Sequence, residues 1–429
     1  MDISDPILSA FTKGLPAGAG SMRLSDIGRA GWSVLREDLP LPVAVLREPA
    51  LQANSGWMRR FIERTGARLA PHGKTTMSPQ LFARQMEDGA WGLTVATIQQ
   101  MRVARRAGVR RILLANELAG AREIEELLDE LAADDAPDLY ALVDSVEGVR
   151  RLAQAASARA AGRPLKLLVE MGYPGGRAGC RELHAALDVA RAVKAAEPHL
   201  ALVGVEGFEG LHQSLPAGEA EPQVRAFLGR IVGAAAAIDA EGLFSGEEVI
   251  LSAGGSAYYD LVAATFAGEA FSRPVASVLR SGCYLTHDAG LYRRLFGEAR
   301  DRSSLVRGLD GGFENALEIW AYVLSVPEPR RAILGAGRRD FGHDAGAPLP
   351  IKTYRRGRDA GPVDLHGSWE IVAINDQHAH MSFPEGAEPA VGDMIALGVS
   401  HPCTTFDRWR MVHVVDDAYA VISAIETCF

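Results

Sequence analysis

Short apolar runs and longer amphipathic stretches alternate along most of this chain, always in the same order. Pro42-Val43-Ala44-Val45-Leu46 reads as a strand, and residues 51–65 place Trp57, Phe61 and Ile62 at helical spacing. The pair then recurs. Apolar runs at 68–70, 91–97, 111–116, 139–144, 165–171, 200–205, 248–252 and 276–284 predict strands. Helical spacing at 81–86, 98–107, 124–131, 146–160, 184–195, 224–240 and 259–267 predicts the helices between them. The runs are apolar at consecutive positions, as in parallel strands covered on both faces. Eight strand-helix steps between residue 51 and about residue 288 predict a (β/α)8 barrel of the TIM type rather than an open sheet.

The texture changes past Asp288. Runs at 316–326, 332–335, 369–374, 378–383, 393–397 and 409–415 are short, alternating and separated by Gly and Pro, which predicts an antiparallel β domain. The strand at 41–46 is free to pair into that sheet. A short helical stretch at 7–11 and a Gly/Pro-rich break at 14–20 read as an arm. The expected domains are an arm and joining strand (1–47), an α/β barrel (48–288) and a carboxy-terminal β domain (289–429).

Composition narrows the partners. The 429 residues are 48% apolar and 23% charged, as in an ordinary globular protein, and carry a formal net charge of -9. Nucleic acid is not an expected partner, because phosphate binding needs clustered Lys and Arg. No apolar segment reaches the ~18 residues of a membrane helix, and Met1-Asp-Ile-Ser-Asp-Pro6 lacks the basic-then-apolar pattern of a signal peptide, so no membrane association and a cytoplasmic location are expected. Cys180, Cys283, Cys403 and Cys428 are scattered and suggest no disulfide framework.

The chemistry centres on Arg68-Leu-Ala-Pro71-His72-Gly73-Lys74-Thr75-Thr76. A strand ending in Pro-His-Gly places one amine at the carboxyl edge of the barrel, where catalytic groups collect. A partly desolvated lysine can attack a carbonyl to form an imine, and pyridoxal phosphate is the obvious carbonyl. Its phosphate calls for backbone N–H groups at Gly turns after late strands, and Gly254-Gly255-Ser256 and Ser281-Gly282-Cys283 supply two. Arg177, in Gly172-Tyr-Pro-Gly-Gly-Arg177, could meet a carboxylate or phosphate, or pair with Glu170 or Glu182, and Tyr173 and Phe208 could stack on a pyridine ring. Further on, His401-Pro-Cys403 is an imidazole and thiol pair suited to zinc if the segment is extended, with His378 or His380 as candidate third ligands.

Together, Pro-His-Gly-Lys-Thr at 71–75, Gly-Gly-Arg-Ala-Gly at 175–179, Gly-Gly-Ser at 254–256, Asp-Gln-His-Ala-His at 376–380 and His-Pro-Cys at 401–403 resemble the D-serine dehydratase and D-threonine aldolase family, of the alanine racemase-like fold. The resemblance implies that Lys74 is the Schiff-base lysine; His72, Arg177, Tyr173 and the two Gly turns are the residues expected around the cofactor. It implies that His401 and Cys403 hold zinc or another divalent metal; the aldolase branch tends to have Asp where Cys403 stands. The implied activity is deamination of a β-hydroxy D-amino acid to a keto acid and ammonia by a homodimer. Retro-aldol cleavage and racemisation are the alternatives.

Overall fold

The computed structural model describes residues 5–159 and 162–429. Residues 1–4 of the expected arm, and Ala160 of the helix expected at 146–160, lie outside the described residues; that helix spans Val146–Arg159.

Eight parallel strands follow one another around a barrel: Arg68–Leu69, Leu93–Val95, Arg111–Glu117, Asp138–Val143, Leu165–Met171, Leu200–Gly207, Val249–Ala253 and Val275–Leu279. From the second to the eighth each pairs with the next, and the eighth pairs with the first through Val278 and Arg68. The ring closes between the first two strands, where Trp91 N donates to Leu69 O (2.7 Å) and Thr94 N to Pro71 O (2.9 Å). Alternation within each strand makes two cores. Leu113, Leu142, Leu168, Val203, Ile250 and Val278 pack together inside the barrel. Their neighbours Ile112, Leu114, Leu167, Leu202 and Leu251 join the larger core under the helices.

The helices are set by local signals. Glu48–Thr65 starts three residues earlier than expected, with Pro49 in its first turn, and stops at Gly66, whose φ of 68° is left-handed. Pro79–Glu87 begins on Ser78, whose hydroxyl accepts from Leu81 N. Two expectations need correction. Residues 7–11 form no helix; Ile7–Leu8 is a short strand paired with Met22–Arg23. The region after Asp288 is not purely β, since helices Leu291–Arg302 and Ser304–Arg307 link the barrel to the second sheet. Buried Asp288 starts the first of them by accepting from the amides of Gly290, Tyr292 and Arg293.

The second sheet is antiparallel apart from one parallel pairing and is centred on Leu317–Glu328, which pairs with Met394–Gly398 and Arg331–Leu334. Val43–Arg47 joins it, antiparallel to Leu317–Glu328 and parallel to Met411–Val415. After the arm, the chain therefore runs through the second sheet, builds the barrel and returns. Asn54, fully buried, ties the return: its Nδ2 donates to Leu285 O (2.9 Å) and Glu314 O (2.8 Å), and its Oδ1 accepts from Glu314 N (2.7 Å). Trp57 packs beside it against Phe313, Phe296 and Phe61, with centroids 4.5 to 5.6 Å apart. Asn54→Ala strands three backbone groups without a partner and is expected to lower stability by about 2–4 kcal/mol; a urea titration would show a lower midpoint with little change in slope.

Candidate functional site: a barrel mouth closed by the β domain

The first barrel strand is cut short because Pro71 has no N–H to continue the ladder. The chain then turns through a 3-10 segment, Gly73–Thr75, before the helix at Pro79. A Cβ at Gly73 would lie 3.0 Å from both Leu93 and Phe82, so a larger residue there would have to displace them. The turn presents Lys74, exposed, at a cavity of about 200 Å³ that His72, Arg177, Glu206, Phe208, Gly255 and Arg280 also line.

Two guanidinium groups face this cavity, each held in place. Arg280 Nη1 lies 2.6 Å from Glu206 Oε2, and its Nη2 donates to Gly207 O (2.8 Å); both side chains are buried. Arg177 rests on Phe208, 4.9 Å from the ring centroid, rather than pairing with Glu170 or Glu182. Burial, followed by the charges of Lys74, Arg280 and Arg177, holds His72 well below the usual imidazole range, so its ring is neutral; its Nδ1 is buried without a hydrogen-bond partner.

Carboxyl groups gather behind the arginines, at or near the ends of the third to sixth strands: Glu117, Asp144, Glu170 and Glu206. Burial pushes Glu117 up to about 8, helped by Glu170 and Asp144, and pushes Glu206 up to about 7 against the pull of Arg280. Between the ordinary value of 4.5 and about 8 the folded chain keeps a Glu117 proton that the unfolded chain releases. Stability from this group is therefore present at low pH and lost as pH rises through that window. The melting temperature of the metal- and cofactor-depleted protein is expected to fall between pH 5 and 8, and Glu117→Gln to flatten the fall, as read by melting curves across pH.

The Gly turns depart from expectation. The amides of Gly254 and Gly255 donate to Glu209 Oε2 (3.1 Å) and Oε1 (2.9 Å), and Cys283 N donates to Ser256 Oγ (3.1 Å). Fully buried Glu209 thus takes two donors expected for a phosphate, leaving the amides of Ser256 and Gly282 without an acceptor among the described residues. Gly282 sits so close to the lysine turn that a Cβ would lie 2.5 Å from His72 O. Tyr173 does not line the cavity either; its ring stacks on His212 at 4.4 Å and meets Phe227 edge-on.

The β domain supplies the other wall. His401 and Cys403 are not on an extended segment, because Cys403 opens a single helical turn, Cys403–Phe406. That turn carries Cys403 Sγ to 3.5 Å from Thr75 Oγ1, next to Lys74, and to 3.6 Å from Cys283 Sγ. Thr75 Oγ1 is 3.8 Å from Cys283 Sγ. The ligand atoms of Cys283, His401 and Cys403 all lie within 4.8 Å of one another. His378 does not join them: it is exposed in the turn between Glu370–Ile374 and Ala379–Ser382, and neighbouring His380 bonds to Asn375 Oδ1. His401 Nδ1 lies 2.6 Å from Asp344 Oδ2. Burial lowers the His401 pKa, but Cys283 and Asp344 outweigh it and carry it up to about 9. The bond between the two thiols lowers the pKa of Cys403 and, with burial, raises that of Cys283.

Both groups fit. An amine, two fixed guanidinium groups and free amides suit an anionic aldehyde cofactor, and an imidazole with two thiols suits a divalent ion. Thr75, Glu206, Glu209, Arg280 and Asp344 are not among the site residues expected from the sequence. Glu206 and Arg280 did carry a signal, a charged residue at the end of an apolar run.

A barrel with a strand-end lysine, joined to a β domain that closes its mouth, defines a pyridoxal-phosphate enzyme of the alanine racemase-like fold. The chain belongs to that family: residues 47–284 match the model "Alanine racemase, N-terminal domain", and residues 316–415 match "Putative serine dehydratase domain". It is similar to a D-threonine aldolase of Arthrobacter sp., with 27% identity over 384 residues, covering 88% of this chain and 89% of the relative. A 141-residue stretch is 33% identical to a D-threo-3-hydroxyaspartate dehydratase of Delftia sp., covering 33% of this chain and 36% of that one. The crystal structure of a D-threonine aldolase from Filomicrobium marinum superposes with a TM-score of 0.75 at 23% identity, covering 92% and 97% of the two chains.

Proposed function

We propose that this chain is a pyridoxal-phosphate-dependent lyase that converts a β-hydroxy D-amino acid to a keto acid and ammonia, with a divalent metal such as zinc assisting. The observation that carries this reading is the contact of Cys403 with Thr75, which sets a thiol and imidazole pair beside the residue that follows Lys74. In this reading Lys74 carries the cofactor, and its amine then takes the Cα proton of the substrate. The bound cofactor supplies an electron sink for the charge left on Cα. Arg177 and Arg280 hold anionic oxygens of cofactor or substrate, and the packing of Phe208 and Glu206 against them fixes their direction. Neutral His72 adds no charge to the lysine side of the cavity. His401 and Cys403 would hold the metal, which would supply Lewis acidity to the β-hydroxyl as leaving group.

Retro-aldol cleavage is the second reading, favoured by the aldolase match over 88% of the chain. It uses the same residues, with a base removing the proton of the β-hydroxyl instead. Racemisation leaves the thiol and imidazole pair without a task. The family resemblance supports a homodimer acting on a small molecule.

D-serine, D-threonine and D-3-hydroxyaspartate, each with its L-isomer, separate these readings. Keto acid with ammonia from a D-isomer, lost on chelation, is expected; aldehyde with glycine would establish the aldolase, and chelator-insensitive turnover would remove the metal from the reaction. Lys74→Ala is expected to lower turnover by at least about 10³-fold while leaving the melting temperature close to that of the parent, checked by the same assay and a thermal scan.

A further inference from the structure

We propose that Cys283, on the loop after the last barrel strand, is a third protein ligand of the metal, so that the centre holds one imidazole and two thiolates and spans both domains. This inference rests on the proposed metal-assisted reading and adds the ligand set and the metal class to it.

The geometry comes from three separate pieces of chain. Cys283 is buried at the barrel mouth, its loop fixed by the bond from its own amide to Ser256 and by Ser281 Oγ donating to the carbonyls of Gly254 and Gly255. Cys403 and His401 arrive from the β domain. The sulfur atoms stand 3.6 Å apart, and a tetrahedral zinc with Zn–S bonds near 2.3 Å holds two sulfurs about 3.8 Å apart. The pair therefore needs almost no movement to close on an ion. The imidazole is prepared in the same way. Asp344 engages Nδ1 of His401 and also accepts from Thr404 Oγ1 (2.5 Å), which fixes the ring and leaves Nε2 for the ion.

Three protein ligands leave one position of a tetrahedral ion open, as in catalytic rather than structural zinc sites. Two thiolates also set the metal class. Sulfur ligands select zinc, cobalt or cadmium and discriminate against magnesium and manganese, which prefer oxygen. A His and Cys pair alone, with water or substrate completing the shell, would not discriminate as strongly.

Zinc-edge X-ray absorption of the reduced holoenzyme tests this without reference to turnover. Two sulfur scatterers at about 2.3 Å are expected in the parent and one in Cys283→Ser, together with at least a tenfold loss of zinc affinity in a chelator competition. A single sulfur in the parent would overturn the role of Cys283 while leaving the metal-assisted reading intact. A protein that retains no zinc would overturn that reading, and the ligand assignment with it. Displacement of zinc by millimolar magnesium would contradict the two-thiolate centre.

Discussion

The seating of the β domain against the mouth of the barrel is the constraint on which the site depends. Lys74 belongs to a loop after the first barrel strand, and His401 and Cys403 to the β domain more than three hundred residues later, so the lysine and this pair meet only when the domains are seated together. Several independent ties hold them in register. Val43–Arg47 is sewn into the second sheet immediately before the first barrel helix, so the two domains share a continuous stretch of chain. Ala289 N donates to Val399 O (3.0 Å), and Cys428 N to Met77 O (2.9 Å), three residues past the lysine. Thr75, two residues before Met77, meets Cys403. A shift of one domain by an ångström or so would open this contact, a displacement that costs catalytic sites heavily.

Inside the barrel, electrostatics follow from crowding. Four carboxyl groups at or near the ends of neighbouring strands cannot all ionise in a buried setting, so burial and mutual repulsion keep protons on Glu117 and Glu206 well above the usual range. Arg280, which lines the cavity with the lysine, is pinned by Glu206 and Gly207. Its position is thereby decided before any ligand arrives, which is the preorganisation that charge recognition requires. Glu209 does comparable work for the Gly254 and Gly255 turn, where its carboxylate ties the backbone into shape.

Local pattern made much of this legible in the sequence. Short apolar runs, separated by helical periodicity, specify a barrel because each strand is covered on both faces, and Pro71 and Gly73 mark the loop that carries Lys74. Elements without periodicity were not legible. Ile7–Leu8 is too short to alternate, Cys403–Phe406 is a single turn, and Leu291–Arg302 carries six charged residues that mask its apolar face. Contacts between distant segments were hidden for a different reason. Cys283 looked like part of a backbone turn, and no spacing rule links it to Cys403, 120 residues away; only the closure of the barrel brings its sulfur to the β domain. His378 looked suitable because it is polar and near His380, yet both lie on a hairpin outside the cluster.

The central claim is that Lys74 is the amine that carries the cofactor in a site completed by the second domain. Borohydride reduction of the holoenzyme followed by peptide mass mapping addresses it directly. A pyridoxyl adduct confined to the peptide that contains Lys74 is the expected result; an adduct on another lysine, or none at all, would contradict the account.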